Sequence, residues 1–215
     1  MKRPIFDDKN RPTLLLLSGG IESGTLLHML ADEGPLIPLF VDYAQRAASR
    51  ERAAATAQCA VLDLELETLE LGSVGETFRR GLSWQPHVPL PQRNLVLLAL
   101  ALSLAEARRA TRICLALNRE DTADYPSATT GFVHDFAALA GRISGIAVET
   151  PLIELDKAAI IRLGVDLGVD YSLTYSCLLG RPAPCGGCPQ CLKRHTAFAA
   201  AGVTDPATNL PENPP

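Results

Sequence analysis

The chain has 215 residues, of which 47% are apolar and 20% charged, and its formal net charge is −4. This length suits one α/β domain with a complete core, or a domain with a small appendage, and the composition argues against intrinsic disorder. The acidic balance argues against a broad basic surface for nucleic acid. The first apolar run, Leu14 to Leu17, is too short for a signal peptide or a membrane span, so we expect a cytoplasmic protein with reduced cysteines and no membrane segment.

The first predicted elements alternate between strands and helices. Thr13 to Leu17 and Leu36 to Val41 are short apolar runs, typical of buried parallel strands. Ser23 to Asp32 has leucines at helical spacing, and Arg46 to Ala60 is rich in Ala, Arg and Glu, which favour a helix. Leu62 to Leu71 alternates apolar and acidic residues and predicts a half-exposed third strand.

The rest of the chain continues this alternation. A proline-rich loop over Gly72 to Gln92 has room for one short helix, and the polar segment Asn118 to Thr130 is interpreted as an active-site loop. The remaining predicted elements are helices at Leu95 to Arg109, Phe132 to Ile143 and Lys157 to Leu167, and strands at Arg112 to Leu117 and Ile146 to Thr150.

This order of elements predicts an α/β fold with a doubly wound, mainly parallel sheet of about five strands. We expect a main domain over residues 1–172, a four-cysteine segment over 173–200 packed on it, and an extended tail over 201–215. Ligands of such sheets bind at the carboxyl ends of the strands. The polar motifs that follow the strands are therefore expected to meet in a single site.

The segment from Ser18 to Ser23 (Ser-Gly-Gly-Ile-Glu-Ser) joins the first strand to the first helix and suits an anion. Gly19 and Gly20 permit backbone angles that turn successive N–H groups inward, and the helix adds the positive end of its dipole. Ser18 and Ser23 add hydroxyl donors. We predict a phosphate-binding loop, with a plain strand-to-helix turn as the alternative.

At these residues the chain resembles the N-type ATP pyrophosphatases, whose motif has Asp where this chain has Glu22. The resemblance implies that ATP is cleaved between its α and β phosphates, with Mg²⁺, and that AMP is transferred to the substrate. It implies nucleotide binding by Ser18, Gly19, Gly20, Glu22 and Ser23. A first-turn acid that complements the helix dipole is the alternative interpretation of Glu22.

Four cysteines near the C-terminus have the spacing of a metal site: Cys177, Cys185, Cys188 and Cys191. Four thiolates suit tetrahedral zinc and leave no open coordination position, so the predicted zinc ion is structural. An iron–sulfur cluster and a redox-active Cys-x-x-Cys pair are the alternatives. Cys59 and Cys114 lie alone in apolar segments and are predicted to be core thiols.

The loop and the cysteine cluster occur together with four segments that resemble the 7-cyano-7-deazaguanine synthase family, also called QueC. These segments are Val41 to Arg46, Leu90 to Asn94, Tyr125-Pro126, and Glu149 to Leu152 with Asp156-Lys157. Ala44 and Gln92 stand where the family has glycine. The resemblance extends from about Leu14 to Arg194, which is nearly the whole chain.

The resemblance implies that ATP adenylates the carboxylate of 7-carboxy-7-deazaguanine, that pyrophosphate leaves, and that ammonia gives the amide and then the nitrile. It implies catalytic roles for Ser18, Arg93 and Lys157. For the two basic residues, Arg93 and Lys157, the alternative is a solvated or helix-capping cation. Asp42 is an implied nucleotide contact, or else a loop-capping aspartate. The implied substrate-binding residues are Tyr43, Gln45, Arg46, Asn94, Tyr125 and Ser127.

This chain departs from the family after Tyr125-Pro126, where Ser127 and Thr129 replace an acid and an arginine. Together with Glu22, these departures leave an alternative open. The protein is then a divergent paralogue from a bacterial antiphage defence system, and it passes the activated base to a protein amine. A non-catalytic nucleotide-binding zinc module and a tRNA-modifying enzyme of the same superfamily are further alternatives, and the acidic charge disfavours the second. The expected assembly is a homodimer or a complex with a modified partner protein.

Overall fold

A computed structural model describes residues 11–80 and 90–207 of the chain. Five strands form one parallel sheet in the order β3-β2-β1-β4-β5. The strands are β1 (Thr13–Leu16), β2 (Leu36–Asp42), β3 (Glu67–Glu70), β4 (Arg112–Leu115) and β5 (Ala147–Glu149). This sheet confirms the predicted fold class.

Eight α-helices lie within the described ranges. They are α1 (Ile21–Ala31), α2 (Ala48–Val61), α3 (Gly72–Arg79), α4 (Arg93–Ala107), α5 (Arg119–Asp124), α6 (Thr130–Ser144), α7 (Lys157–Asp166) and α8 (Pro189–Ala201). In this part of the chain, none of them has both the length and the apolar content needed to cross a membrane. Helix α3 agrees with the short helix expected within residues 72–92, of which residues 81–89 lie outside the described ranges.

The sheet is buried on both faces because helices pack on each side of it, and successive residues of its central strand point to opposite faces. Leu14 of β1 joins the cluster formed with α4 and α6, whereas Leu15 joins the cluster formed with α1, α2, α7 and α8. Both side chains are fully buried. Truncating either of them to alanine is expected to cost about 2–5 kcal/mol.

The sequence prediction is wrong in two segments, and each error has a local structural reason. The third strand was expected from Leu62, but Leu62 caps the C-terminus of α2 and Asp63 adopts a left-handed conformation with φ of 54°, so pairing begins only at Glu67. The segment from Asn118 was expected to be a loop, but it contains α5. The Asn118 side chain accepts hydrogen bonds from Glu120 N and Asp121 N, and the Asp121 carboxylate accepts one from Asn118 N, which forms a capping box.

The first part of the expected tail packs against the domain. Arg194 of α8 is buried, and its Nε and Nη2 atoms donate to the buried Asp205 carboxylate over 2.8–3.0 Å. Arg194 Nη2 also donates to the carbonyl of Tyr171. Residues up to Ala207 are therefore tied to the fold rather than extended, and residues 208–215 lie outside the described ranges.

Candidate active site

The carboxyl ends of β1, β2 and β4 border a cleft of about 230 Å³. Strands β2 and β3 lie on one side of β1, and β4 and β5 lie on its other side. The strand order therefore reverses between β1 and β4. Such a reversal is where open parallel sheets bind their ligands. The polar residues that line the cleft are Ser18, Glu22, Ser23, Tyr43, Gln45, Glu51, Arg93, Asn94, Asp121, Tyr125, Lys157, Tyr175, Ser176 and Gln190.

The loop after β1 is held in shape by its own serines. Ser18 Oγ and Ser23 Oγ are 3.0 Å apart, and the Ser18 backbone N–H donates to Ser23 Oγ over 3.2 Å. Gly19 has φ of +77°, and a Cβ atom there would collide with the backbone carbonyl of Glu51. This position therefore requires glycine, although Gly19 itself faces α2 and not the cleft.

The carbonyl of Gly19 ties the same loop to the rest of the chain. It accepts a hydrogen bond from Tyr175 N over 2.9 Å and another from Gln58 Nε2 over 3.0 Å. Gln58 Nε2 also donates to the carbonyl of Leu173. Helix α2 and the segment that leads to the cysteine cluster thus support the loop from behind.

Glu22 lies in a charged cluster on one wall of the cleft. Lys157 Nζ contacts Glu22 Oε1, and Asn118 Nδ2 donates to the same oxygen over 3.0 Å. Burial opposes the charge on Glu22, but the Lys157 ammonium and the hydrogen bonds that the Glu22 carboxylate accepts hold the pKa of Glu22 below the usual value. Burial likewise opposes the charge of Lys157, whereas Glu22 raises the pKa of Lys157 above its usual value. Both groups therefore stay ionised at neutral pH.

The opposite wall contains Arg93 and Tyr43. Arg93 Nη1 donates to the Tyr43 hydroxyl over 3.4 Å, and Tyr125 stands at the exposed rim near the guanidinium. The neighbouring Asn94 is buried, and its Nδ2 atom donates to the carbonyl of Ser127 over 3.0 Å. Arg93 thus presents a cation to the cleft, whereas the Asn94 amide supports the turn at residues 126–128.

Four predicted site residues lie outside the lining of this cleft: Gly19, Asp42, Arg46 and Ser127. Asp42 accepts hydrogen bonds from Ala44 N over 2.9 Å and from Arg52 Nη2 over 2.8 Å, so it caps its own loop. Asp42 and Arg46 line a separate, shallower depression with Arg52. Ser127 is buried beside Ala128, whose side chain borders the cleft instead.

The sequence prediction named none of Glu51, Asn118, Asp121 and Tyr175 as site residues, although Asn118 and Asp121 lie in the segment interpreted as an active-site loop. The spacing of Asn118 and Asp121 is that of a capping box and could have identified the first turn of α5. Glu51 lies in an Ala- and Arg-rich helix whose pattern indicates only a solvated face, so no sequence signal placed it in the cleft. Burial, followed by the charge of Glu22, raises the pKa of Asp121.

The four predicted metal ligands lie together. The Sγ atoms of Cys177, Cys185, Cys188 and Cys191 all lie within 4.8 Å of one another, and the Cys185 and Cys191 sulfurs are 3.9 Å apart. Zinc–sulfur bonds of about 2.3 Å in a tetrahedron place sulfurs about 3.8 Å apart, so the cluster fits a zinc ion. Burial opposes ionisation of the Cys185 thiol, but N–H groups of Gly187 and Cys188 lower its pKa to about 6. Cys59 and Cys114 are buried away from this cluster, as expected.

Comparison with known proteins gives consistent matches over nearly the whole chain. A family model described as the queuosine biosynthesis protein QueC matches residues 12–202. The 7-cyano-7-deazaguanine synthase 1 of Sulfurisphaera tokodaii is 34% identical over 198 residues, which are 92% of this chain and 97% of that protein. The 7-cyano-7-deazaguanine synthase of Paramagnetospirillum magneticum is 35% identical over 225 residues, covering 92% and 98%.

Solved structures share the fold at low sequence identity. The NH3-dependent NAD synthetase of Campylobacter jejuni has a TM-score of 0.53 and 18% identity, and the match covers 77% of this chain and 67% of that one. The NMN synthetase of Francisella tularensis has a TM-score of 0.55 and 17% identity, covering 89% and 77%. At these identities the likeness concerns the arrangement of strands and helices alone.

Proposed function

Because this chain belongs to the family of the queuosine biosynthesis protein QueC, we propose that it adenylates the carboxylate of 7-carboxy-7-deazaguanine with ATP and converts it to the amide and the nitrile with ammonia. The observation that carries the proposal is the single cleft that joins the Ser18–Ser23 loop, two cations and space for a base. Each of these parts has a chemical purpose in the proposed reaction.

The reaction begins with a poor acyl donor. A carboxylate oxygen of the base attacks the α-phosphorus of ATP, the bond between the α-phosphorus and its bridging oxygen breaks, and pyrophosphate leaves. Ammonia then attacks the acyl carbon, a proton is lost, and AMP leaves to give the amide. A second adenylation, at the amide oxygen, releases a second pyrophosphate, and loss of AMP and of both protons of the amide nitrogen then gives the nitrile. Every step places negative charge on a phosphate group, which nearby donors and cations stabilise.

The cleft residues of this chain include donors and cations that can stabilise those phosphate charges. Ser18, Gly20 and Ser23 line the cleft at the N-terminal end of α1, where N–H and O–H donors favour a departing pyrophosphate. Lys157 offers a cation beside this loop and Arg93 offers one from the opposite wall. We propose that Lys157 and Arg93 stabilise the phosphates and the substrate carboxylate, and that Tyr43 and Tyr125 contact the base.

Two metal ions belong to the proposal. The four cysteines suit a structural zinc ion, because four sulfurs complete its coordination. Mg²⁺ would enter with ATP, and the carboxylates of Glu22, which lies in the loop, and of Asp121 would supply oxygen donors for it from the cleft lining. The proposal also includes a cytoplasmic location and a homodimeric assembly.

The function can be tested by incubating the full chain with ATP, Mg²⁺, ammonium and 7-carboxy-7-deazaguanine, and following nucleotides and bases by mass spectrometry. We expect AMP, not ADP, together with the amide or the nitrile, and about one zinc per chain by metal analysis. ADP as the product, or no AMP that depends on the base, would contradict the proposal. AMP that forms only when an added partner protein gains the mass of the base would favour transfer to a protein amine.

A matched pair of variants on α7 tests the site itself. Lys157→Gln removes the cation beside the loop and is expected to lower AMP formation about 100-fold. Arg162→Gln removes an exposed cation of the same helix, whose side chain donates to the carbonyl of Ala200, and should leave the rate unchanged. Equal rates for the two variants would remove Lys157 from the mechanism.

A further inference from the structure

Glu51 is a carboxylate on the cleft wall that the proposed reaction does not use. It lies in the first turn of α2 and lines the same cleft as Arg93 and Tyr43. No described residue forms an ion pair with it, although Arg93 is close enough to influence its charge. Burial raises the pKa of Glu51 more than the hydrogen bond from Gln45 and the Arg93 charge lower it. The carboxylate is thus incompletely compensated by its surroundings.

The orientation of Glu51 is set by Gln45, which is itself buried. Gln45 Nε2 donates to Glu51 Oε2 over 3.0 Å and to the carbonyl of Val41 over 3.3 Å, while Gln45 Oε1 accepts from Tyr43 N over 2.9 Å. The Gln45 amide is therefore fully engaged, and it acts as a positioning residue rather than a ligand. Within the described ranges, no hydrogen bond reaches the other oxygen, Glu51 Oε1.

A ligand that complements this carboxylate must offer hydrogen-bond donors. A guanine-type base carries a ring N–H next to a 2-amino group, and two adjacent donors match the two oxygens of a carboxylate. Adenine places an amino donor next to a ring nitrogen that accepts. That ring nitrogen would direct its lone pair at a carboxylate oxygen, which also carries lone pairs, so the two atoms would repel each other. The chemistry of Glu51 therefore fits the deazaguanine rather than the adenine of ATP.

We propose that Glu51 determines base specificity by accepting hydrogen bonds from the ring N–H and the 2-amino group of the 7-deazaguanine. This inference rests on the proposed function for the identity of the base. It assigns Gln45 the task of holding the carboxylate, in place of the direct substrate contact that its sequence motif implies.

The experiment compares Glu51→Gln with Glu65→Gln, which makes the same change at an exposed position before β3. Calorimetry without ATP measures binding of 7-carboxy-7-deazaguanine and of its analogue without the 2-amino group. The native chain should prefer the first ligand by about 10- to 100-fold, the usual value of a good bidentate contact. Glu51→Gln should reduce this preference to about 3-fold or less, and Glu65→Gln should keep it.

A Glu51→Gln chain that keeps the preference would overturn the inference, as would a rise in the KM for ATP with an unchanged KM for the base. The second result would assign Glu51 to the nucleotide. Thermal melting shows that the variant is folded. If the native chain binds the base with the expected preference but forms no AMP, the proposed function fails and this inference stands. If AMP forms and Glu51→Gln still discriminates, the inference alone fails.

Discussion

Ala44 and Gln92 adopt the left-handed backbone conformation that glycine favours, with φ of 62° and 49°. These are the two positions where the resembled family has glycine. The turn after β2 is held by the hydrogen bond from Ala44 N to Asp42, so the backbone keeps this shape even though the residue carries a Cβ atom. A residue type that is unfavourable locally is thus tolerated because the surroundings determine the turn.

Replacing Ala44 with glycine should stabilise the protein. A left-handed conformation costs a residue with a Cβ atom about 1–2 kcal/mol, and the extra entropy of glycine in the unfolded chain offsets about half of that. We expect a net gain of about 0.5 kcal/mol in the free energy of unfolding, measured with urea. The control is Ala53→Gly on the exposed face of α2, which should lose about 1 kcal/mol. A loss in both variants would contradict this account of Ala44.

Glu22 and Glu51 should affect stability in opposite directions as the pH changes. The pKa of Glu22 is lowered from 4.5, so its charge stabilises the fold above that pH and this contribution disappears as the pH falls through the lowered value. The pKa of Glu51 is raised from 4.5, so its ionisation destabilises the fold once the pH rises past that value.

We therefore expect Glu22→Gln to lose roughly 3 kcal/mol at pH 7, because Lys157 is left without its partner, and to lose less below pH 4.5. Glu51→Gln should equal the native chain near pH 4 and exceed it at pH 7. Urea unfolding across this range, with Glu65→Gln as the exposed reference, measures both differences. The same sign for the two variants at pH 7 would contradict the assigned environments.

At the scale of elements, one short helix connects two loops of the site. Helix α5 has only six residues, yet its capping residue Asn118 also donates to Glu22. The cap thus joins the turn after β4 to the loop after β1. Six residues are too few to show a periodic repeat, so periodicity indicated a loop, although the capping-box spacing of Asn118 and Asp121 marks the first turn of this helix.

Asn118→Ala tests whether this cap serves the site as well as the helix. Losing the cap should cost about 1 kcal/mol of stability, and losing the donor to Glu22 should lower AMP formation about 10-fold. Thr129→Ala is the matched control, because Thr129 caps α6 through Phe132 N and makes no contact with Glu22. We expect equal losses of stability but a lower rate only for Asn118→Ala. Equal rates in the two variants would make Asn118 purely structural.

For the whole molecule, the sequence predicted the features that repeat along the chain and the residues that lie close together in it. The alternation of apolar strands and helices predicted the parallel sheet, and four cysteines at close spacing predicted sulfurs that the structure brings within 4.8 Å. Contacts between distant segments left no such signal. The hydrogen bonds of the Gly19 carbonyl with Tyr175 N and with Gln58 Nε2 depend on tertiary packing, so the sequence predicted neither pair.

Asp205→Asn should destabilise the whole domain. Arg194 and Asp205 are both nearly fully buried, and removing one charge leaves the other without compensation. We expect a loss of about 3 kcal/mol in the free energy of unfolding. Glu67→Gln removes an acid that pairs with Arg108 at the surface and should lose less than about 1 kcal/mol. Similar losses in the two variants would show that the buried pair stabilises the fold no more than the surface pair does.

The hydrogen bond from Tyr175 N to Gly19 O sets an order of events during protein synthesis. Gly19 leaves the ribosome early, whereas Tyr175 follows more than 150 residues later. Until then the loop lacks one of the bonds that support it from behind. A chain shortened before Tyr175 would therefore carry every residue of the loop motif without this support. We expect such a fragment to bind ATP poorly, so the nucleotide should protect only nearly complete chains from proteolysis.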